Sequence, residues 1–291
     1  GKTQEKIVNI LYVGGKELGN YSSIQNAIDN ASESDTIFIY TGTYYENIIV
    51  NKTINIIGEN KENTIINGCT KQANESFSIV FYILANQVKI SNLTITNSII
   101  EHDFIQSPFF GTGILIKANN TVIQGNSIKE NTFGISLDST FYNELNNNII
   151  TNYNQNTNEF LHQNKEIGIS FDNAYNNTVI NNTISNISGK AIQLSYMCKN
   201  NTFYYNNFIN NTENANDSGV NNWDNGQYGN YWDDYNESDK NNDGIGDIPY
   251  KIPNGNNQDK YPLMMPYDGN FRVKEFYVDY SSVFKMLIIG M

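Results

Sequence analysis

GILI at 113–116, GISL at 134–137, GISF at 168–171 and AIQL at 191–194 are four copies of one short pattern, a small residue followed by alternating apolar positions. Their starts are separated by 21, 34 and 23 residues. A second marker is the Asn that opens NTVI (Asn120), NELN (Asn143), NTVI (Asn177) and NTFY (Asn201), and it steps by 23, 34 and 24. Both markers give a period of about 22 with one extra block of about 11 residues in the same place, the signature of a stacked-repeat architecture. Each repeat reads as three short strands broken by Asn turns, as in Val179–Asn181, Thr183-Ile184 and Ala191–Leu194. A coil of that length with three strands has the dimensions of a right-handed parallel β-helix, each strand pairing with its equivalent one coil away, ~4.8 Å along the axis. Asn suits the turns because it tolerates left-handed backbone and can ladder its amide onto the next coil. Leucine-rich repeats share the period but need Leu at fixed spacing, and Leu is scarce here.

Composition agrees. The chain has 291 residues, 52 of them Asn, with a single Arg (Arg272) and a net charge of −12. Ile, Tyr and Thr favour strands. An acidic chain without Lys and Arg clusters is a poor partner for nucleic acid. No apolar run approaches the ~18 residues of a membrane span. Cys69 and Cys198 lie far apart in the repeat order and read as small buried hydrophobes rather than a disulfide. The chain opens on Gly1, consistent with a removed signal peptide and an extracellular or cell-surface address. About a dozen Asn-x-Ser/Thr triplets, among them Asn51, Asn92, Asn176, Asn186 and Asn236, permit glycosylation and are expected mostly by chance in so Asn-rich a chain.

Outward from the repeats, residues 1–20 hold one strand-like run, IVNILYV. Residues 22–31 then place Ile24, Ala27, Ile28 and Ala31 on one helical face behind a Ser22 or Ser23 N-cap. A helix before a strand stack covers its open edge. The β-helix is expected over 21–265, with a closing segment at 221–265 and further strands, or a new module, at 266–291. Two blocks interrupt the repeat at one corner: 99–111 (IEHDFIQSPFF at its centre) and 152–165 (NYNQNTNEFLHQNK). Two rungs apart, their bases lie on the order of 10 Å from each other. A third excursion is expected in the fifth coil, at NNTENANDSGVNNWDNG (210–226).

Residues 22–68 (SSIQNAIDN…TIING) resemble the N-terminal cap and first coils of pectin-lyase-like β-helix proteins, most closely the NosD-type periplasmic and archaeal surface repeat proteins. GNYWDDYNESDKNNDGIGDIPYKI and DKYPLM resemble that family's closing segment. The resemblance covers roughly 20–265 and implies the fold and an extracytoplasmic address, while leaving function open.

Three constellations bear on chemistry. In SDKNNDGIGD, Asp239, Asn241, Asp243, the Ile245 carbonyl and Asp247 stand at positions 1, 3, 5, 7 and 9 of an EF-hand-like or dockerin-like loop, with Gly244 at position 6. This is calcium spacing, although Tyr250 replaces the position-12 Glu. Asp233 or Asp234 is an upstream substitute, and the expected role is structural. Second, both histidines fall in the interrupting blocks. His102 lies beside Glu101 and Asp103, and His162 beside Glu159 and Glu166, with Phe104, Phe109, Phe110 and Phe160 near. These are candidate acid/base or metal groups or the rim of loops packed through the Phe rings. Third, the coils lack the Asp clusters with cationic partners that a polyuronate enzyme uses. Copper delivery, linked to some relatives, needs soft donors that cluster, and here they are scattered. Trp223, Tyr228, Tyr231, Trp232 and Tyr235 are expected to plug the end of the core rather than bind sugars. The expected function is a non-enzymatic surface protein, structural or adhesive, with a surface polysaccharide or another surface protein as partner. The alternative is a carbohydrate-active enzyme (lyase, hydrolase or epimerase type) at the two loops.

Overall fold

A computed structural model describes residues 8–68, 79–98, 111–152 and 166–269. The chain winds through three parallel sheets of nine, eight and seven strands, visited in turn. The first contains Ile10–Val13, Thr36–Ile39 and every later equivalent to Val220–Asn222. The second runs from Gly42–Tyr45 to Tyr231–Trp232, and the third from Ile48–Val50 to Glu213–Asp217. Ile10–Val13 pairs with Thr36–Ile39 and is therefore the first rung of this stack, not a segment apart from it.

The pairing register lines like residues into columns. One inward column of the first sheet reads Ile37, Ile56, Ile90, Ile123, Leu145, Val179, Phe203. In the second sheet Ile66, Ile95, Ile128, Ile150, Ile184, Phe208 and Trp232 follow one another. These side chains are buried, and each contributes about 1.5–3 kcal/mol relative to exposure. β-Branched Ile fits because strand χ1 is already restricted and the branched chain packs on the pleat. Toward the end the columns turn aromatic: Phe203 stacks on Trp223 at 4.3 Å and Phe208 on Trp232 at 4.3 Å. Both Trp are fully buried.

The corners use Asn in two distinct ways. At the first-to-second-sheet corner, Asn92, Asn147 and Asn181 have positive φ, a conformation Asn tolerates better than most residues. The next residue turns inward. Asn126, Asn148, Asn182, Asn206 and Asn230 are buried there; the backbone N–H of each of the first four donates to the Oδ1 of the next coil's Asn at 2.9–3.1 Å, and that of Asn230 to Asp259 Oδ2 at 2.7 Å. Their Nδ2 groups donate onward in the same direction. A second ladder at the third-to-first-sheet corner joins Thr121, Asn143, Asn177, Asn201 and Asn221. The repeat marker therefore slips at its first member: Thr121, not Asn120, is the equivalent of Asn143, and Asn120 holds the positive-φ slot. The same rule accounts for several glycosylation triplets. In Asn176-Asn177-Thr178, Asn181-Asn182-Thr183 and Asn200-Asn201-Thr202 a positive-φ corner Asn precedes a ladder Asn and a strand Thr. They follow from turn chemistry more than from chance.

The helix spans Ile24–Asn30, capped by Ser23, with Ile24, Ala27 and Ile28 buried. It serves the open edge with side chains. Ile49 N–H donates to Gln25 Oε1 at 2.8 Å, and Gln25 Nε2 donates to the Ile49 carbonyl at 3.3 Å. Lys52 Nζ donates to the carbonyls of Ile28, Asp29 and Ala31, the groups a helix C-terminus leaves unpaired.

The expected excursion at 210–226 does not occur. Glu213–Asp217 is a third-sheet strand in register with Lys190–Leu194, and Val220–Asn222 joins the first sheet. The polar sequence ENAND hides this, since Ala215 alone continues the apolar column.

Candidate functional site

Segments 69–78, 99–110 and 153–165 each link a second-sheet strand to the following third-sheet strand. His102, Glu101, Asp103, His162, Glu159 and Cys69 lie in them, outside the described residues. Glu166, at the rim, accepts from Ser188 N–H and Ser188 Oγ of the next coil.

The same corner, further along the stack, holds a cleft of about 390 Å3 between Asn210, Glu213, Asn214, Asp233, Asp234 and Tyr250. Its construction follows from one change in the repeat. Gly113, Gly134, Gly168 and Ala191 form a column of small residues, because a Cβ on each Gly would press on the carbonyl of the next coil. Asn214 takes that place in the last third-sheet strand. Its Nδ2 donates to Asp233 Oδ1 at 3.1 Å and to Asp234 Oδ1 at 2.9 Å. Asp233 Oδ2 accepts from the Asn210 N–H. Tyr250 donates its hydroxyl to Asp234 Oδ2 at 3.0 Å and stacks on Trp232 at 4.2 Å. Burial, then the negative charge of Asp234 and the hydrogen bond to it, hold that phenol above its ordinary range, so it stays a donor. The product is an acidic, hydrogen-bonded wall beside an aromatic ring, suited to polar ligands rich in hydroxyls.

Sequence reasoning named Asp233 and Asp234 only as calcium substitutes and missed Asn214. The available signal was NAND standing where GILI, GISL, GISF and AIQL had stood.

The 239–247 loop holds its own turn. Asp239 accepts from the N–H groups of Asp243 and Gly244. Asp243 accepts from Ile245 N–H, and Asp247 from Lys240 N–H and Ser238 Oγ. Its hard oxygens suit calcium chemically. Among the described residues, however, no three His, Cys, Asp or Glu side chains are grouped to hold a metal ion.

Two buried carboxylates meet the ends of the ladders, Asp259 from the closing segment and Asp217 from the last third-sheet strand. Asp259 accepts from Asn230 N–H at 2.7 Å, Trp232 Nε1 at 2.9 Å and Tyr261 N–H at 3.0 Å. Gly229 is required there, because a Cβ would collide with the Asp259 carboxyl. Burial pushes the Asp259 carboxyl up to about 7 against these donors. Asp217 ends an inward apolar column and accepts from Trp223 Nε1 at 2.9 Å and Asn221 Nδ2 at 2.9 Å.

The family model of NosD, described as a periplasmic copper-binding protein, matches residues 28–237. Among solved structures, the pectin methylesterase from Aspergillus niger in deglycosylated form aligns with a TM-score of 0.50 at 13% identity, covering 93% of this chain and 95% of that one. The pectin methylesterase from carrot aligns at 0.43 and 12%, over 72% of this chain and 66% of that one. Alginate lyase from Paenibacillus sp. str. FPU-7 aligns at 0.43 and 13%, over 74% and 95%. At 13% identity the likeness to the Aspergillus enzyme is one of fold. No curated protein matches the chain. The copper of the family description finds no site among the described residues. The Cys198 thiol is buried, raised in pKa chiefly by that burial, and donates to the Phe171 carbonyl, with no His, Cys, Asp or Glu grouping to complete a ligand set. With three parallel sheets and a family match over more than half its length, this chain belongs to the NosD family of parallel β-helix proteins.

Proposed function

We propose that this chain is a non-enzymatic extracytoplasmic β-helix protein, structural or adhesive, that holds a surface glycan along its second-to-third-sheet edge. The cleft at Asn214, Asp233, Asp234 and Tyr250 carries the reading, since it lies at the corner where second-sheet strands connect to third-sheet strands through the three longest segments. Carboxylates fixed by an amide and a phenol are preorganised acceptors for sugar hydroxyls, and preorganisation lowers the entropic cost of binding. The periplasmic description of the family supports the address, and no described helix is long and apolar enough to cross a membrane. The test is a glycan array probed with the wild type, Asp233→Asn/Asp234→Asn and His102→Ala/His162→Ala, beside turnover assays on polygalacturonate and alginate. Binding lost in the Asp pair, with no turnover by any form, is the expected result. Turnover abolished by the His pair would replace this reading with an enzyme at the two loops. Calcium is proposed for Asp239, Asn241, Asp243, the Ile245 carbonyl and Asp247 on ligand spacing, in a structural role. Binding there would exchange the turn's own hydrogen bonds for the ion.

A further inference from the structure

On another corner, where the third sheet passes into the first, Phe141, Tyr142, Tyr175 and Tyr196 occupy three successive coils. Phe141 is 41% exposed, Tyr142 59% and Tyr196 75%, so none of these three is a core residue. Tyr142 has φ +57°, in the slot that Asn120, Asn176 and Asn200 fill in the neighbouring coils. A bulky aromatic in left-handed backbone is an outlier, and such strain persists where function retains it. The Phe141 and Tyr142 rings meet edge to face at 5.5 Å and 89°. Phe141 bridges to Tyr175 one coil on and Tyr175 to Lys199 in the next, where Tyr196 stands three residues earlier on the same corner.

We propose that this corner is a stacking platform for a neutral oligosaccharide. Successive coils rise ~4.8 Å, close to the length of one pyranose residue in an extended chain, so rings on consecutive coils can meet consecutive sugars. Polar groups share this corner with the rings. Asn119 Oδ1 accepts from Phe141 N–H at 2.8 Å, Tyr175 donates its hydroxyl to Asn173 Oδ1 at 2.5 Å, and Asn173 Nδ2 donates to Ser139 Oγ at 3.4 Å. Aromatic faces together with amides and hydroxyls match the alternating C–H faces and hydroxyls of a sugar chain better than the aliphatic surface of a protein partner. Charge on the corner is balanced. Lys117 pairs with Asp138 at 2.8 Å, and Asp172 and Lys199 are one exposed charge of each sign. With a net charge of −12, the chain would repel polyuronates. The proposal stands independently of the acidic cleft, which lies on a different corner.

The test is isothermal titration of the full chain with cello-, xylo-, manno- and chitohexaose, and with hexagalacturonate as the acidic arm. The expected result is binding of at least one neutral hexasaccharide in preference to hexagalacturonate, weakened at least tenfold in Phe141→Ala/Tyr142→Asn and in Tyr196→Ser. Tyr142→Asn alone should raise Tm while weakening binding, because Asn suits the left-handed slot; that opposite movement separates recognition from folding. Asp233→Asn/Asp234→Asn should leave this binding unchanged. No neutral hexasaccharide bound by the wild type, or full binding retained by the double variant, overturns the proposal. So does sedimentation showing that the same variants instead abolish self-association.

Discussion

The middle coils and the closing segment solve one problem in opposite ways. Along the ladder from Asn126 to Asn206 the buried groups are neutral amides, each donating to the next coil. A chain of aligned donors needs an acceptor at its last member. For the ladder that ends at Asn230 the closing segment supplies a carboxylate, Asp259. In the second ladder the Asn221 N–H donates to Asn257 Oδ1 at 3.3 Å and its Nδ2 to Asp217, the last residue of the third sheet. Neither carboxylate has a salt-bridge partner among the described residues. Their stabilisation comes from oriented N–H groups, which lower the cost of burying the charge. The first ladder thus ends on a carboxylate and the second on a further amide, with a carboxylate beside it.

Breaking the terminal acceptor should cost most. Asp259→Ala strands the donors of Asn230, Trp232 and Tyr261, at about 1–3 kcal/mol each. A loss on the order of 3–6 kcal/mol is expected in urea unfolding followed by Trp fluorescence. A loss below ~1 kcal/mol would show that the carboxylate does not end the ladder.

Asp259 should also set a pH dependence. Its folded pKa is raised to about 7 from 3.8, so the native state keeps this proton longer than the unfolded chain does. Stability from this group is full below about pH 4, falls as pH rises from 4 to 7, and is level above that. The difference amounts to at most about 4 kcal/mol at 1.36 kcal/mol per unit. Subtracting the pH profile of Asp259→Asn from that of the wild type isolates this limb; coincident profiles would refute it.

Within the ladder, Asn182→Ala removes the acceptor of Asn148 and the donor to the Leu145 carbonyl. A cost of about 2–3 kcal/mol is expected, with Asn182→Asp recovering part of it through the retained acceptor. If Asn182→Ala costs no more than a surface change such as Asn222→Ala, the ladder is not a stabilising network.

The smallest effect belongs to the exposed loop. Saturating calcium should raise the stability of the wild type by about 1–2 kcal/mol through mass action and leave Asp239→Asn/Asp243→Asn unmoved. An equal response from both would place the ion elsewhere.

The repeat was readable because Ile and Gly recur at positions set by strand alternation, a local property. ENAND was misread because its strand carries one apolar residue, and its pairing partner Lys190–Leu194 lies a coil away. The cleft was illegible for the same reason, since Asn214, Asp233 and Tyr250 come from three separate passes of the chain.

The amino-acid sequence determined the period, the Ile columns and the capping helix, because each depends on residue spacing within a single coil. Only the tertiary structure decided which Asn turns inward and which takes the left-handed corner. It alone placed Asp259 as the last acceptor of the ladder and Asn214 between two carboxylates. Those assignments rest on register between coils 19 or more residues apart, where a shift of one residue exchanges a buried amide for an exposed one.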